Sequence, residues 1–296
     1  MRRPTTVEVM LLTTIGLWAL NLTVSRYILT HGFQPLAYAT VRYGLAVLVF
    51  LGLALAVERS LRFERRDLAF VAGAAAFVYV NQIAFVYALE RSSASVLGLI
   101  LGATPIFAAL AGLVFRTESL PPRFWGGALL SFAGVALVAV GSGGELSGDL
   151  GGVILGVLTA ATWAGYSILV TPLMRRYSAT RISAVVLAAA WVPLALTGAS
   201  QVSSQEWSLG WEVWALLIFA TLGPLVLTNE LWFRSLDRIG PARATLAANL
   251  QPFLAAAIAV VLLSETLGPL ELVGGVLIAL GILAARRRAV SPPPGE

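Results

Sequence analysis

Ten stretches of mostly apolar residues divide this 296-residue chain and constrain its fold more than any other feature. A helix of about 20 such residues crosses a hydrocarbon core of roughly 30 Å. The stretches run over 7–28, 36–57, 68–89, 94–115, 124–140, 151–170, 182–199, 213–233, 242–263 and 270–285. Only 12% of the residues are charged and the mean hydropathy is +0.85, too apolar for a water-soluble surface. The sequence predicts an all-α integral membrane protein with ten transmembrane helices.

The basic residues indicate how these helices cross the membrane. All 20 of them are arginines, and 17 cluster at both termini and after the second, fourth, sixth and eighth stretches, whereas Arg91 lies on the opposite side and Arg26 and Arg42 lie within stretches. The connections 141–150 and 200–210, on the opposite side, contain none. Because arginine-rich connections stay in the cytoplasm, both termini are predicted to be cytoplasmic. We interpret the net charge of +5 as a topology signal, and we expect no nucleic-acid partner.

The composition excludes much of soluble enzyme chemistry. The chain has no cysteine, no lysine and a single histidine, His31. Disulfides, zinc thiolate sites, phosphate loops with their lysine and Schiff-base lysines are therefore absent. A membrane enzyme acting on lipid-linked substrates would normally show clustered His, Asp or Cys at one membrane face. We expect no cofactor, no metal and no enzymatic activity.

The chain also repeats itself after 147 residues. The matched pairs are Pro105 and Pro252, Glu118 and Glu265, Leu120 and Leu267, Pro122 and Pro269, Gly127 and Gly274, and Gly134 and Gly281. They predict one five-helix repeat over 1–145, a second over 146–288, and a disordered tail over 289–296. Because each repeat crosses the membrane an odd number of times, the second repeat starts on the opposite side and has inverted topology. This arrangement is typical of secondary transporters.

These residues resemble a known family. The segments 101–140 and 246–285 each combine a proline, a Glu-x-Leu motif and a glycine-rich last helix, and they look like the EamA repeat of the drug/metabolite transporter superfamily. Within it the chain is most similar to the YddG-type amino-acid exporters. The resemblance implies a bacterial inner-membrane protein that exports aromatic or neutral amino acids and related metabolites by alternating access. It also implies a central cavity lined by the first, third, fourth, sixth, eighth and ninth helices.

Two helical faces carry candidate substrate-binding residues. The first face holds Thr14, Trp18, Asn21 and Ser25, and the second holds Thr159, Trp163, Tyr166 and Val170. Their spacing places each set on one side of a helix in corresponding positions of the two repeats. Trp18 and Trp163 lie mid-span, away from the membrane interfaces where tryptophan concentrates. They are predicted to line the cavity, with close helix packing as the alternative.

Further polar residues lie within the predicted helices. They are Tyr79, Asn81, Gln82, Asn229, Asn249 and Gln251. Amide groups supply both the donors and the acceptors that a zwitterionic substrate needs. Hydrogen bonds between helices explain the same residues equally well.

Four charged residues complete the candidate set. Arg42 is a candidate for binding a substrate carboxylate, against snorkelling or pairing with a nearby acid. Glu230 is a candidate for proton coupling, against an ion pair with Arg234. Glu118 and Glu265 are interpreted as structural carboxylates at the starts of the helices that follow them.

Three alternatives stay open. A transporter of the same fold for a nucleotide sugar would need basic residues in the cavity, and one for a cationic drug would need an unpaired deep acid. A membrane receptor or scaffold that transports nothing is disfavoured by the repeat symmetry. The sequence leaves the oligomeric state open, and a monomer is compatible with it.

Overall fold

The computed structural model describes residues 6–114, 122–141, 150–239, 248 and 250–285. Twelve helices are present in these residues. They are α1 (Thr6–Thr30), α2 (Pro35–Val57), α3 (Leu68–Arg91), α4 (Ala94–Leu101), α5 (Thr104–Val114), α6 (Pro122–Gly141), α7 (Leu150–Met174), α8 (Ala179–Ser204), α9 (Trp211–Thr221), α10 (Thr228–Ile239), α11 (Gln251–Leu263) and α12 (Pro269–Ala285). A 3₁₀ turn over Arg65–Asp67 precedes α3, and a π-helical turn over Leu222–Leu227 joins α9 to α10.

The predicted all-helical membrane fold is confirmed. Seven helical segments are long and apolar enough to cross a membrane, and three shorter apolar helices follow the same pattern. The short ones are 124–138, 251–263 and 269–284. Together they fall on the ten predicted stretches, although residues 240–247 and 249 of the ninth stretch lie outside the description.

The fourth span differs from the continuous helix that the sequence predicts, because it breaks into α4 and α5. Pro105 has no N–H to donate to the carbonyl of Leu101, four residues earlier. The hydroxyl of Thr104 donates to that carbonyl instead, at 2.6 Å. The second repeat restarts its helix in the same way, since Gln251 and Pro252 begin α11 just as Thr104 and Pro105 begin α5.

Corresponding helices of the two repeats pack antiparallel. In α2 and α8, the N–H of Leu36 donates to Gln201 Oε1 at 2.6 Å, and Trp191 Nε1 donates to the carbonyl of Thr40 at 2.9 Å. Later residues of α2 thus meet earlier residues of α8. Since α2 and α8 are equivalent helices, their opposite directions show that the second repeat is inverted relative to the first.

The last helix of each repeat, α6 and α12, forms the closest packing. A Cβ added to Gly281 would lie 2.5 Å from the carbonyl oxygen of Gly127, and one added to Gly134 would lie 2.5 Å from that of Gly274. These glycines form two repeat-related pairs, and only glycine allows such an approach. The seam between α6 and α12 therefore joins the repeats without space for a side chain.

Three predictions fall outside the described residues. They concern Glu118, Asn249 and the tail 289–296.

Candidate functional site

The two predicted tryptophan faces meet midway along α1 and α7. The rings of Trp18 on α1 and Trp163 on α7 contact edge to face, with centroids 6.5 Å apart. Trp232 on α10 lies 5.2 Å from Trp18, and Tyr166 lies 5.3 Å from Trp163. We call these four residues the aromatic cluster. Trp163 keeps 41% of its surface exposed, although it is in the middle of its helix.

The aromatic cluster is attached to an irregular part of the eighth span. Trp18 Nε1 donates to Thr228 Oγ1 at 2.9 Å, and the Thr228 hydroxyl donates to the carbonyl of Pro224 at 2.7 Å. Pro224 lies in the π-helical turn and has no N–H for the carbonyl of Ala220. Single π-helical turns within α-helices are frequent at functional sites.

Arg42 donates a hydrogen bond to the carbonyl of Ala220, which Pro224 leaves without its helical donor. Its Nη2 donates to the Ala220 oxygen at 3.2 Å and to Asn21 Oδ1 at 2.9 Å. The side chain is 4% exposed, and its Nε has no hydrogen-bond partner. Among the described residues no carboxylate lies within ion-pair distance of it. Arg42 is seven residues into α2, about 10 Å along the helix axis, and is therefore a buried cation without a counter-ion in the described part of the chain.

Two tyrosines that sequence reasoning missed surround this cation. The guanidinium carbon of Arg42 lies 5.8 Å from the ring centroid of Tyr38, whose hydroxyl is 2.8 Å from Ser25 Oγ. Tyr43, the next residue along α2, is also buried. Tyr38 precedes Arg42 by four residues, one helical turn, and that spacing is the signal that could have identified it. These residues of α2 are joined to α1, the helix that carries Trp18, by the bonds from Arg42 to Asn21 and between Tyr38 and Ser25.

The amides of α3 hold α3 and α7 together. Asn81 Nδ2 donates to the carbonyl of Thr159 at 2.8 Å and to Thr162 Oγ1 at 3.1 Å. Gln82 Nε2 donates to Asn81 Oδ1 at 3.0 Å. Both side chains are buried. These contacts favour the interpretation of Asn81 and Gln82 as links between helices.

The remaining polar candidates are spread over three helices. Asn229 Nδ2 donates to Ser183 Oγ on α8. Tyr79 is half-buried on α3 and packs against the apolar core, and Gln251 is half-buried at the start of α11. The described hydrogen bonds and ring contacts do not place these three residues in the aromatic cluster.

Glu230 forms the ion pair that was the alternative to a coupling role. Its Oε1 accepts from Arg234 Nε at 2.8 Å, and the two side chains are 42% and 62% exposed. The four-residue spacing places the pair on one face of α10. Within the described residues, no group of three or more His, Cys, Asp or Glu side chains is arranged to hold a metal ion.

The prediction that Glu265 stabilises the start of the helix that follows it is wrong. Its carboxylate accepts from the N–H groups of Ala94 and Ser95, at 2.9 and 2.8 Å, and from the Ser95 hydroxyl at 2.6 Å. It therefore caps α4, which belongs to the other repeat. The start of α12 is served instead by Glu271, which accepts from the N–H of Gly268. A helix N-terminus favours any carboxylate that reaches it, whichever segment supplies that carboxylate.

Comparison with known proteins gives a consistent result. The model of the EamA-like transporter family matches the chain twice, over residues 5–140 and 150–287. A solved crystal structure shares the fold, with a TM-score of 0.64 and 22% identity over 96% of this chain and 99% of the other.

Three relatives extend over most of the chain. The uncharacterized transporter YyaM of Bacillus subtilis is 26% identical and covers 86% of this chain and 85% of its own length. A probable amino-acid metabolite efflux pump of Salmonella typhimurium is 24% identical over 90% of each chain. A probable terminal-alkyne amino-acid exporter of Streptantibioticus cattleyicolor is 26% identical over 93% of this chain and 94% of its own.

Proposed function

The chain belongs to the EamA-like transporter family, and from that premise we propose that it exports amino acids by alternating access. Two of its relatives are named as an amino-acid efflux pump and an amino-acid exporter. The observation that carries the proposal is the contact between Trp18 and Trp163, which come from corresponding helices of two oppositely oriented repeats. Secondary transporters place their substrate site near the bilayer midplane, where such repeats meet.

The aromatic cluster supports an apolar or aromatic substrate side chain. Indole and phenol rings offer large faces, and edge-to-face contacts between rings add about 0.5–1.5 kcal/mol to the burial of apolar area. Trp163 is the member with the accessible face. In this proposal a substrate ring packs against Trp163 and Tyr166, and the contact between Trp18 and Trp163 changes as the two repeats move.

Arg42 supports a substrate with a carboxylate. A planar guanidinium with a free Nε–H matches a carboxylate better than any neutral donor does. The buried cation also needs an anion that the described residues do not supply. In this proposal the carboxylate accepts from Nε and competes with Asn21 and the Ala220 carbonyl for Nη2.

The polar helix contacts have a supporting role in this proposal. The bonds from Asn81 to α7 and from Asn229 to α8 fix the helices that surround the aromatic cluster. The pair of Glu230 with Arg234 supports a structural role for that acid. Pro252, at the start of α11, has no N–H, so a backbone carbonyl of the preceding turn lacks its helical donor and is open to a substrate ammonium group.

The arginine distribution supports the proposed location. We place the protein in a bacterial inner membrane, with both termini in the cytoplasm and repeats bounded by 1–145 and 146–288. The matched family regions 5–140 and 150–287 lie within those bounds. Small metabolites and the surrounding lipids are then its partners, without a nucleic acid or a cofactor.

Counterflow in proteoliposomes tests this function. Vesicles containing only this protein are preloaded in turn with phenylalanine, tryptophan, methionine, threonine, a nucleotide sugar or a quaternary ammonium dye, with and without a pH gradient. Protein-free vesicles are the control. We expect exchange of the amino acids, strongest for phenylalanine and tryptophan, and the gradient shows whether protons are coupled. Exchange of the dye or the sugar alone would contradict the proposal.

A further inference from the structure

The connection between α2 and α3 presents arginines on its outer surface. Arg59, Arg62 and Arg65 are exposed, whereas Leu61 and Phe63 between them are partly buried against the core. We call residues 58–67 the basic shelf. Its charged and apolar side chains therefore face opposite ways, as in a surface built on a fixed backbone.

The two ends of the basic shelf are fixed to the first turn of α8 and to the connection between α7 and α8. At one end Arg181 Nε donates to Glu58 Oε2 at 2.8 Å, and at the other Arg176 Nη1 donates to Asp67 Oδ1 at 2.7 Å. The hydroxyl of Tyr177 also donates to Asp67, at 2.8 Å. Because Asp67 is buried, this end of the shelf is well anchored.

The acids of the basic shelf are already engaged. Glu58 and Asp67 anchor its ends, and Glu64 Oε2 lies 2.7 Å from Arg66 Nη2. No carboxylate of the described residues is within ion-pair distance of Arg59, Arg62 or Arg65. Three exposed cations therefore point away from the protein without a counter-ion from the described part of it.

The backbone conformation of Arg59 is an independent indication that its side chain has a function. Arg59 has a φ of +56°, the left-handed conformation in which glycine usually ends a helix. Its N–H donates to the carbonyl of Ala54 at 3.1 Å, so the conformation closes α2. A glycine would make this turn without strain, and strained residues concentrate where the side chain has a function.

The exposed apolar residues on either side of the basic shelf indicate its depth in the membrane. Val57, the last residue of α2, is 77% exposed, and Leu68, the first residue of α3, is 50% exposed. In a membrane such side chains lie among acyl chains, so the arginines between them lie where the lipid headgroups begin.

We propose that the basic shelf binds the phosphate headgroup of an anionic phospholipid. Guanidinium groups bind phosphate with paired hydrogen bonds, and basic clusters beside a membrane helix attract anionic lipids. The shelf is fixed in place before the lipid arrives, so little ordering is needed on binding. This inference is independent of the transported substrate.

Native mass spectrometry of the intact protein with phosphatidylglycerol or phosphatidylcholine measures the binding. Each arginine is expected to contribute about fivefold to the affinity for an anionic headgroup, so Arg62→Gln/Arg65→Gln should bind phosphatidylglycerol about 25-fold more weakly. Arg62→Lys/Arg65→Lys keeps both charges and should retain most of the binding. Arg91→Gln, which removes an arginine at the opposite end of α3, should change nothing. Equal binding by wild type and the Gln double variant would overturn the proposal.

Arg59→Gly separates the side chain from the backbone. We expect this variant to melt at a higher temperature than wild type in phosphatidylcholine nanodiscs, because the strain is relieved, and to bind phosphatidylglycerol about fivefold more weakly. Unchanged lipid binding would contradict a role for Arg59. If inorganic phosphate in detergent competes fully at millimolar concentration, the site takes free anions and the lipid assignment is wrong.

Discussion

Replacing Arg42 by methionine separates the contribution of this cation to folding from its contribution to transport. Nη2 makes two hydrogen bonds, to Asn21 and to the carbonyl of Ala220. Each bond from a charged donor contributes about 1.5–3 kcal/mol, so the two contribute roughly 3–6 kcal/mol. Burying a guanidinium without an anion costs several kcal/mol. Because these terms offset each other, we expect Arg42→Met to change the free energy of unfolding by less than about 2 kcal/mol.

The effect on transport has no such offsetting term. The proposed substrate carboxylate loses its charged partner, which corresponds to a decrease of about 10- to 100-fold in exchange rate. Exchange of the matching amine without a carboxylate should change little. Counterflow of phenylalanine and of phenethylamine measures both rates, and a melting curve shows a shift of at most about 5 °C if the energy terms offset as argued. Methionine preserves the packing of the arginine stem.

Arg26→Met is the matched control. Arg26 is also an arginine within a span, but its Nη1 donates to the backbone carbonyls of Leu89 and Glu90 at the end of α3. This variant should keep the wild-type ratio between phenylalanine and phenethylamine. A folded Arg42→Met protein with normal phenylalanine exchange would refute the role of Arg42 in binding. A large loss of melting temperature would show instead that the fold depends on the cation.

Three more perturbations follow from the described contacts. Trp163→Ala should reduce phenylalanine exchange several-fold with little change in folded yield, measured by counterflow and size-exclusion chromatography, and normal exchange would remove Trp163 from the site. Gly281→Leu should abolish folded yield, because even a Cβ there would lie 2.5 Å from the carbonyl of Gly127; a well-folded product would contradict the seam. Burial alone would raise the pKa of Asp67, but hydrogen bonds from Tyr177 and Arg176 and the charge of Arg176 outweigh it and lower that pKa. The ionised carboxylate therefore stabilises the fold above the pKa that it has in the unfolded chain. This stabilisation is lost as the pH falls through the lowered pKa of the folded protein. Acid melting curves should therefore differ between wild type and Asp67→Asn above about pH 4 and converge only as the pH falls below the lowered pKa.

The sequence was sufficient to predict the parts of the fold that depend on local composition. Apolar length located the ten spans, because a helix must satisfy its own backbone hydrogen bonds in lipid. The 147-residue repeat predicted the inversion that the antiparallel packing of α2 and α8 displays. The first helices of the two repeats match after 145 residues, which predicted that Trp18 and Trp163 occupy corresponding positions, and their rings meet.

The partners of open backbone groups could not be predicted in the same way. Pro224 identifies from sequence alone that the carbonyl of Ala220 is unsatisfied. It does not identify the donor, since Arg42 is 178 residues away along the chain. The same holds for Glu265, whose carboxylate lies 170 residues from Ser95. Periodicity and spacing describe one helix at a time, whereas these contacts depend on how separate helices are placed.

The centre of the bundle departs from the symmetry that organises the rest. Arg42 corresponds after 147 residues to Ala189, and Pro224 corresponds to Phe77, around which α3 remains a regular helix. Trp18 and Trp163, by contrast, match. Inverted symmetry allows the two halves to exchange conformations, but an amino acid has one charged end and one apolar end. A fully symmetric site would bind it equally well in two opposite orientations. In the proposed export of amino acids, the matching residues therefore serve the motion, whereas Arg42, bound to the carbonyl that Pro224 leaves open, would fix the orientation of the substrate.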